Sequence, residues 1–320
     1  MMTEYLVGNN PNPLVIVNWS PVNGQEILQI LRASIPMGGR TLTLYEKVYP
    51  ESELNSERAH QELLDQLSAC LPADCKPIIL SDAIFKTPWF KAIESKGWFW
   101  VGRIRGNVCL STDSIHWLRC NTWFENATMR AKKLGDIYYG KTQRFMCKAV
   151  FYQSKTKGRR LKKKRGGGKS QCTTSKYQQK KANEPWLLAY HLAEQQPLSA
   201  NKVVKLYAQR MQIEEGFRDT KNSKLGLALE DANSKSAERY DNLLLIASLM
   251  LFVLWCVGFV SAQLNQVRFF QANTEKRKRV LSYSYVGREV IDDTRYCPDE
   301  PLIIYALNQL SELTIRYEEL

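Results

Sequence analysis

The sequence is poor in the residues that bind transition metals. It has three histidines, and its eight cysteines are scattered without a Cys-x-x-Cys pair. Structural zinc sites need such residues at short spacings, so this pattern argues against a zinc site. The cysteines are expected to be free thiols in a reducing cytosol. No signal peptide opens the chain, and we therefore expect a cytoplasmic protein.

Acidic residues are missing from one long stretch of the chain. Residues 137–183 contain no Asp or Glu but fifteen Lys and Arg, while the whole chain has a formal net charge of +13. The remainder is close to neutral, so the basic excess is local. A local basic block favours contact with nucleic acid or with an acidic membrane.

The centre of this block is 155–165, where eight of eleven residues are basic. Such a run is expected to be a solvated loop that orders on phosphates. Its contribution to binding would depend on salt and be indifferent to base sequence. The candidate phosphate contacts are Lys162, Lys163, Lys164 and Arg165.

The first hundred residues alternate between strand and helix patterns. Strands are predicted at 14–20, 27–35, 40–48, 76–82 and 98–105, and helices at 55–71 and 87–96. This order indicates a mixed α/β fold whose first three strands form an antiparallel meander. The polar segment 1–13 is expected to be a disordered or remnant N-terminus.

The pattern changes at about residue 106. Short strand-like pieces alternate with polar runs up to residue 183, which predicts a β-rich insertion. Strand character returns at 186–190. Residues 201–221 contain one glycine and no proline, so one helix of about five turns is predicted there. A final amphipathic helix is predicted at 301–313.

One uncharged apolar span of eighteen residues, 243–260, is long enough to cross a membrane. The alternative is a helix buried on all sides in a large α/β core. We favour the core helix, because this is the only such span and an enzyme-like pattern surrounds it. The rival is a membrane-associated protein whose basic loop lies on anionic lipid.

Four residues of the predicted helix at 201–221 share one face. Measured from Tyr207 at about 100° per residue, Arg210, Glu214 and Lys221 lie near −60°, −20° and −40°. A solvated face would scatter its charges, whereas this stripe combines one acid with several groups that bind phosphate. It suits an enzyme that handles a nucleic-acid backbone.

Two carboxylates are placed to meet at a metal site. Asp82 ends a predicted buried strand, and Glu214 lies on the stripe. Paired carboxylates that hold two Mg²⁺ ions are the usual apparatus for cutting and joining phosphodiesters. Mn²⁺ can substitute for Mg²⁺. Taken alone, an aspartate in the position of Asp82 is more often an ordinary strand-end or capping residue.

These residues give the sequence a specific resemblance. It is similar to the DDE transposases of bacterial insertion sequences, in the hairpin-forming group known as insertion sequence type four. Tyr207, Arg210, Glu214 and Lys221 match that group's Tyr-x2-Arg-x3-Glu-x6-Lys signature at every spacing. Residues 81–85 match its second-acid element, with Ile84 in place of Gly. Further matches lie at 31–34, 44–47, 210–215 and 270–273.

The resemblance implies an RNase H-like mixed sheet flanked by helices, with a β-rich insertion between the second and third catalytic acids. The expected parts are 1–13, the core at 14–105, the insertion at 106–184, the core again at 185–262 and a helical region at 263–320. It also implies Asp82 and Glu214 as Mg²⁺ ligands and Tyr207, Arg210 and Lys221 as phosphate contacts. The implied partners are the double-stranded DNA of transposon ends and targets, with a possible homo-oligomer in that complex and no membrane.

The sequence departs from the family in two places. The first catalytic acid is expected in an Asp-Trp-Ser context on the first strand, and here Asn18 takes its place. An amide cannot bridge two cations, and the absence of the carboxylate charge should lower the rate roughly 10³-fold or more. Relatives carry an N-terminal DNA-binding domain, whereas seventeen residues precede Asn18, so a truncated protein is expected.

The expected function is therefore cut-and-paste DNA transposition by descent. Hydrolysis would nick the transposon end, and the freed hydroxyl would form a hairpin and later join the target. Cleavage is expected to be defective because of Asn18. The alternative is a non-catalytic DNA-binding regulator of related transposases, which would bind DNA without cutting it.

Overall fold

The computed structural model describes residues 2–24, 27–154, 172–173, 176, 183–193, 198–224, 226–272, 274 and 279–314. The predicted phosphate contacts Lys162, Lys163, Lys164 and Arg165 lie outside the described residues.

Nine α-helices and ten strands occur in the described ranges. The helices are α1 Met2–Val7, α2 Glu57–Cys70, α3 Thr87–Ser95, α4 Cys120–Trp123, α5 Ala200–Ala208, α6 Gln212–Lys221, α7 Ala237–Gln263, α8 Tyr283–Asp292 and α9 Glu300–Leu313. The strands are β1 Leu14–Pro21, β2 Leu28–Met37, β3 Arg40–Pro50, β4 Ile78–Ser81, β5 Phe99–Ile104, β6 Cys109–Ser111, β7 Leu118–Arg119, β8 Lys132–Tyr139, β9 Phe145–Tyr152 and β10 Trp186–His191.

The chain forms two compact units. The first contains residues 1–80, 92–98 and 209–320, and the second contains 81–91 and 99–208. In each unit the strands form a sheet flanked by helices, which confirms the predicted α/β class. The strand order is β3–β2–β1–β4 in the first unit and β5–β10–β9–β8–β6–β7 in the second. The predicted domain boundaries at 105/106 and 184/185 differ from these divisions and stay predictions.

Strands β1, β2 and β3 form the predicted antiparallel meander. Gly38 and Gly39 connect β2 to β3, and both have positive φ, as a tight hairpin turn requires. Strand β4 continues the sheet in parallel with β1. The segment that leads into β4 shows this direction. The backbone N–H groups of Lys76 and Ile78 donate to the carbonyl oxygens of Pro11 and Pro13, so the residue numbers rise together along both segments.

Side chains of the meander alternate between its two faces. One cross-strand row contains Asn18, Arg32 and Glu46, and it contacts α6. The next row contains Trp19 and Lys47 with Leu31 between them, and it contacts α2. We call these the α6 row and the α2 row.

The prediction of a single helix at 201–221 is wrong. The chain forms α5, then a 3₁₀ turn at Gln209–Met211, then α6. Helix α5 packs on β9 and β10, whereas α6 packs on β1, β2 and β3. The tighter winding occurs where the chain passes from one set of strands to the other.

The segment 1–13 was expected to be a disordered or remnant N-terminus, and the expectation of disorder is wrong for Met2–Val7. These residues form α1, which packs against α9. Leu6 and Val7 are completely buried. Two buried apolar side chains therefore anchor this segment.

Helix α7 contains the apolar span 243–260, but it is not buried on all sides as predicted. Leu245, Ile246, Leu249, Met250 and Val253 are each about half exposed. Among the described helices, α7 alone is long and apolar enough to cross a membrane, and half of its most apolar stretch is buried. Because core helices of globular proteins also meet these criteria, α7 is weak evidence for a membrane span.

Candidate functional site

Helix α6 lies close against the meander. Gly216 makes this possible, because a Cβ atom there would come 2.4 Å from Thr41 Oγ1 on β3. The helix therefore presents Glu214 and Lys221 directly to the end of β1, where Asn18 and Ser20 lie.

Glu214 is bound by two nitrogen donors. Asn18 Nδ2 donates to Glu214 Oε1 at 3.2 Å, and Arg210 Nη1 lies 3.1 Å from the same oxygen. Asn18 is 5% exposed, whereas the Glu214 side chain is 46% exposed. The amide therefore approaches from the protein interior, and the Arg210 side chain is likewise less exposed than the carboxylate that it binds. A carboxylate at position 18 would repel Glu214 unless a cation lay between them.

Lys221 is held at the end of α6. Its Nζ donates to Ser20 Oγ at 2.7 Å and to the Pro21 carbonyl oxygen at 2.9 Å. Burial and, to a smaller extent, the charge of Arg32 lower the pKa of Lys221 to about 8, while Glu214 and Glu230 act in the opposite direction. The Lys221 ammonium therefore loses its proton more readily than that of an exposed lysine.

The α6 row supplies a buried ion pair beneath the helix. Arg32 Nε donates to Glu46 Oε2 at 2.7 Å, and both side chains are almost fully buried. Arg32 Nη2 donates to Thr220 Oγ1 at 3.1 Å, and the guanidinium lies 4.5 Å from the centre of the Phe217 ring. Burial raises the pKa of Glu46, and Arg32 opposes that shift.

Asp82 follows β4 and belongs to the second unit. Its Oδ1 accepts a hydrogen bond from the Ile84 backbone N–H at 2.8 Å, which closes a local turn. Ile84 does not adopt a positive φ, so this turn does not need the glycine of the family motif. The buried Ser81 accepts a hydrogen bond from Trp89 Nε1 at 3.2 Å, which ties the strand end to α3.

Tyr207 also belongs to the second unit. It is 3% exposed, and its ring packs edge-on against Trp186 at 5.1 Å between centroids. The structure thus brings together Asn18, Arg210, Glu214 and Lys221 within the first unit. A site that combines them with Asp82 and Tyr207 stays a prediction.

The donors of the first unit do not by themselves fit a site for two divalent cations. They comprise one carboxylate and one amide, and N–H donors from Asn18 and Arg210 occupy the same carboxylate oxygen. Over the ranges that the structure describes, no group of three His, Cys, Asp or Glu side chains could hold a metal ion.

Arg32 and Glu46 are functional candidates that the sequence analysis missed. Their signal was present, since Arg32 is the one charged residue of a strand that is otherwise uncharged and largely buried. A buried arginine nearly always needs a paired acid. The partner could not be identified from spacing alone, because it comes from the neighbouring strand.

Comparison with known proteins gives one family match. Residues 28–251, more than half of the chain, match the sequence model of the family described as "Transposase DDE domain". A search among curated proteins found no match.

Among solved structures, the chain is similar to a cryo-EM structure of a piggyBac transposase synaptic complex with hairpin DNA. The TM-score is 0.40 and the sequence identity 12%, and the match covers 95% of this chain and 58% of that one. The chain thus spans less than two thirds of that transposase. The likeness is too weak to transfer any property of that complex.

Proposed function

Because the chain belongs to the Transposase DDE domain family, we propose that it binds transposon ends in cut-and-paste transposition and is impaired in DNA cleavage. We further propose the hairpin-forming group, on the Tyr-x2-Arg-x3-Glu-x6-Lys spacing at Tyr207, Arg210, Glu214 and Lys221. The proposed core is RNase H-like, in keeping with the order β3–β2–β1–β4.

The observation that carries the proposed impairment is the hydrogen bond between Asn18 and Glu214. An amide donor satisfies the Glu214 carboxylate without any cation. A carboxylate pair at these two positions would instead need a positive charge between its members. Asn18 thus stabilises a metal-free arrangement of the first unit.

DDE transposase domains generally use divalent metal ions. We propose Asp82 and Glu214 as the residues that would hold Mg²⁺, with Mn²⁺ able to substitute. When bound, the metal would supply charge stabilisation at the reacting phosphate. Without a bridging carboxylate at position 18, the ion should bind weakly.

The proposed partner is double-stranded DNA, at transposon ends and at the target, with a possible homo-oligomer in that complex. Arg210 and Lys221 would contact phosphates, because a guanidinium and an ammonium bind phosphate oxygens strongly. Lys162, Lys163, Lys164 and Arg165 would add salt-dependent contacts to the DNA backbone. A cytoplasmic location, with no membrane partner, is part of the same proposal.

The test compares the native protein with an Asn18→Asp variant on pre-nicked duplexes taken from the ends of the element. With Mg²⁺ or Mn²⁺, the variant should form hairpin or strand-transfer products faster by roughly 10³-fold. Adding Glu214→Gln to the variant should abolish that gain. Robust cutting by the native protein, with no change in the variant, would contradict the proposed impairment.

Thermal unfolding supplies a second readout that needs no activity. In EDTA, Asn18→Asp should lower the melting temperature, because two carboxylates then face each other. Added Mg²⁺ should raise the melting temperature of the variant more than that of the native protein.

A second candidate is a non-catalytic DNA-binding regulator of related transposases. The observation that favours it is that both Asn18 and Arg210 bond the same oxygen of Glu214. In that case DNA binding persists while cleavage is absent in both proteins. Neutralising Lys162, Lys163, Lys164 and Arg165 should flatten the salt dependence of binding.

A further inference from the structure

Arg32 is a charged residue with almost no contact with solvent, since it is 2% exposed. Its guanidinium has three neighbours in fixed directions, namely the Glu46 carboxylate, the Thr220 hydroxyl and the face of the Phe217 ring. A planar group bound along its edge and over its face has a single orientation.

Two of these neighbours belong to the last two turns of α6. Thr220 also donates to the Gly216 carbonyl oxygen at 3.1 Å, so Arg32 and the helix backbone share its hydroxyl. The Phe217 ring lies close to two cations, because Lys221 Nζ is 5.2 Å from the centre of the same ring that Arg32 covers. Arg32 therefore contacts the C-terminal end of α6, where Lys221 is the last residue.

The charges that face Lys221 come from three elements. Arg32 on β2 disfavours its protonated form, whereas Glu214 on α6 and Glu230 in the 3₁₀ turn Leu229–Ala232 favour it. Burial acts in the same direction as Arg32 and is the larger effect. The charge of Lys221 is therefore sensitive to the presence of Arg32 beneath the helix.

Resting on the proposed binding of DNA phosphates by Lys221, we propose that Arg32 is a positioning residue for this face. It fixes the end of α6 through Thr220 and Phe217, and it sets the charge that Lys221 presents to a phosphate. A phosphate that arrives at Lys221 restores its full positive charge, so binding takes up a proton. Stability alone is a poor reason for this pair, because apolar residues of similar volume often replace buried ion pairs without loss.

The experiment uses the full chain in EDTA and measures how fast an amine-acylating reagent modifies Lys221 from pH 6 to pH 10, by peptide mass spectrometry. The neutral amine reacts, so the midpoint reports the ionisation of Lys221. Arg32→Met with Glu46→Gln removes both charges and leaves neither partner unpaired. Arg32→Lys keeps the charge but loses the planar contacts. The matched control is Arg105→Met with Glu184→Gln, which removes an ion pair of the second unit.

In the native protein the acylation midpoint should lie near pH 8. The paired variant should raise it by about one unit and slow acylation at pH 8 about fivefold. Arg32→Lys and the control pair should leave the midpoint in place. An unchanged midpoint in a folded paired variant would overturn the proposal. If the paired variant does not fold, Glu46→Gln alone is used, and it should lower the acylation midpoint. An unchanged midpoint in Glu46→Gln would also overturn the proposal.

DNA binding provides the link to function. The affinity of the native protein for an element-end duplex should fall as the pH rises through 8, and this fall should move to higher pH in the paired variant. Absence of DNA binding at every pH would refute the proposed function, while the acylation midpoints would still decide the role of Arg32.

Discussion

The α6 row and the α2 row lie one residue apart on the same three strands, yet they are built differently. The α6 row places Asn18, Arg32 and Glu46 under α6, with its ion pair almost fully buried. In the α2 row, Leu31 is buried and the ion pair of Lys47 with Glu62 lies at the partly exposed edge. Because side chains alternate along a strand, one meander can separate polar chemistry from packing.

The largest expected effect comes from breaking the buried pair of the α6 row. Arg32→Ala leaves the Glu46 carboxylate buried without its cation, so the free energy of unfolding should fall by about 3–5 kcal/mol. Denaturant unfolding monitored by circular dichroism measures this. Arg32→Met with Glu46→Gln should lose much less. If the single and the paired variants lost the same stability, the cost would not come from an unpaired charge.

The next effect belongs to the α2 row and depends on pH. Trp19 Nε1 donates to His60 Nε2 at 3.3 Å, so His60 must be neutral at that nitrogen. Burial lowers the pKa of His60 to about 4. Below pH 6.5 the unfolded chain binds the proton first, so stability is complete above 6.5 and falls as the pH drops towards 4.

Between pH 6.5 and pH 4 the free energy of unfolding should fall by about 3 kcal/mol because of His60. Urea unfolding at half-unit pH steps gives the profile, and His60→Gln should remove this pH dependence. The same slope in His60→Gln would assign the effect to other groups.

A smaller effect tests how closely α6 approaches the meander. Gly216→Ala would bring a methyl group 2.4 Å from Thr41 Oγ1, so it should cost roughly 1–3 kcal/mol despite the better helix propensity of alanine. With Thr41→Ala the space opens, and Gly216→Ala should then become neutral or stabilising. Additive costs in this double-mutant cycle would show that the hydroxyl is not the obstacle.

The smallest effect is expected at the edge of the α2 row. Lys47→Met removes the partly exposed ion pair with Glu62 and should change the free energy of unfolding by less than about 1 kcal/mol. The same denaturant titration as for Arg32 applies. A loss as large as that of Arg32→Ala would remove the distinction between the two rows.

The sequence predicted the meander and the α/β class because period-two patterns and turn glycines are local signals. It also predicted that position 18 and Glu214 share a site, through the family motif. The structure shows a hydrogen bond between these two residues in the first unit, while their role in a shared site stays a prediction.

The interruption of the helix at Gln209–Met211 could not be predicted, since it depends on which strands each half contacts. Helix α8 lies in the region 263–320 that was expected to be helical, but its bounds could not be predicted for a similar reason. Gly258 and Gly287 let the backbones of α7 and α8 touch, because a Cβ at either would lie 1.9 Å from a carbonyl oxygen of the other helix. Neither contact leaves a periodic pattern in the sequence.

The α6 row also has a consequence for the order of folding. The Arg32–Glu46 pair spans 14 residues, whereas the bonds from Asn18 to Glu214 and from Arg32 to Thr220 span 196 and 188. Contacts between residues so far apart in the chain lose the most entropy on loop closure, and they form slowly. During synthesis the meander leaves the ribosome long before α6 has been made. The polar α6 row is therefore exposed until α6 can pack on it. The candidate site is therefore completed late, and its assembly depends on the whole length of chain between its two halves.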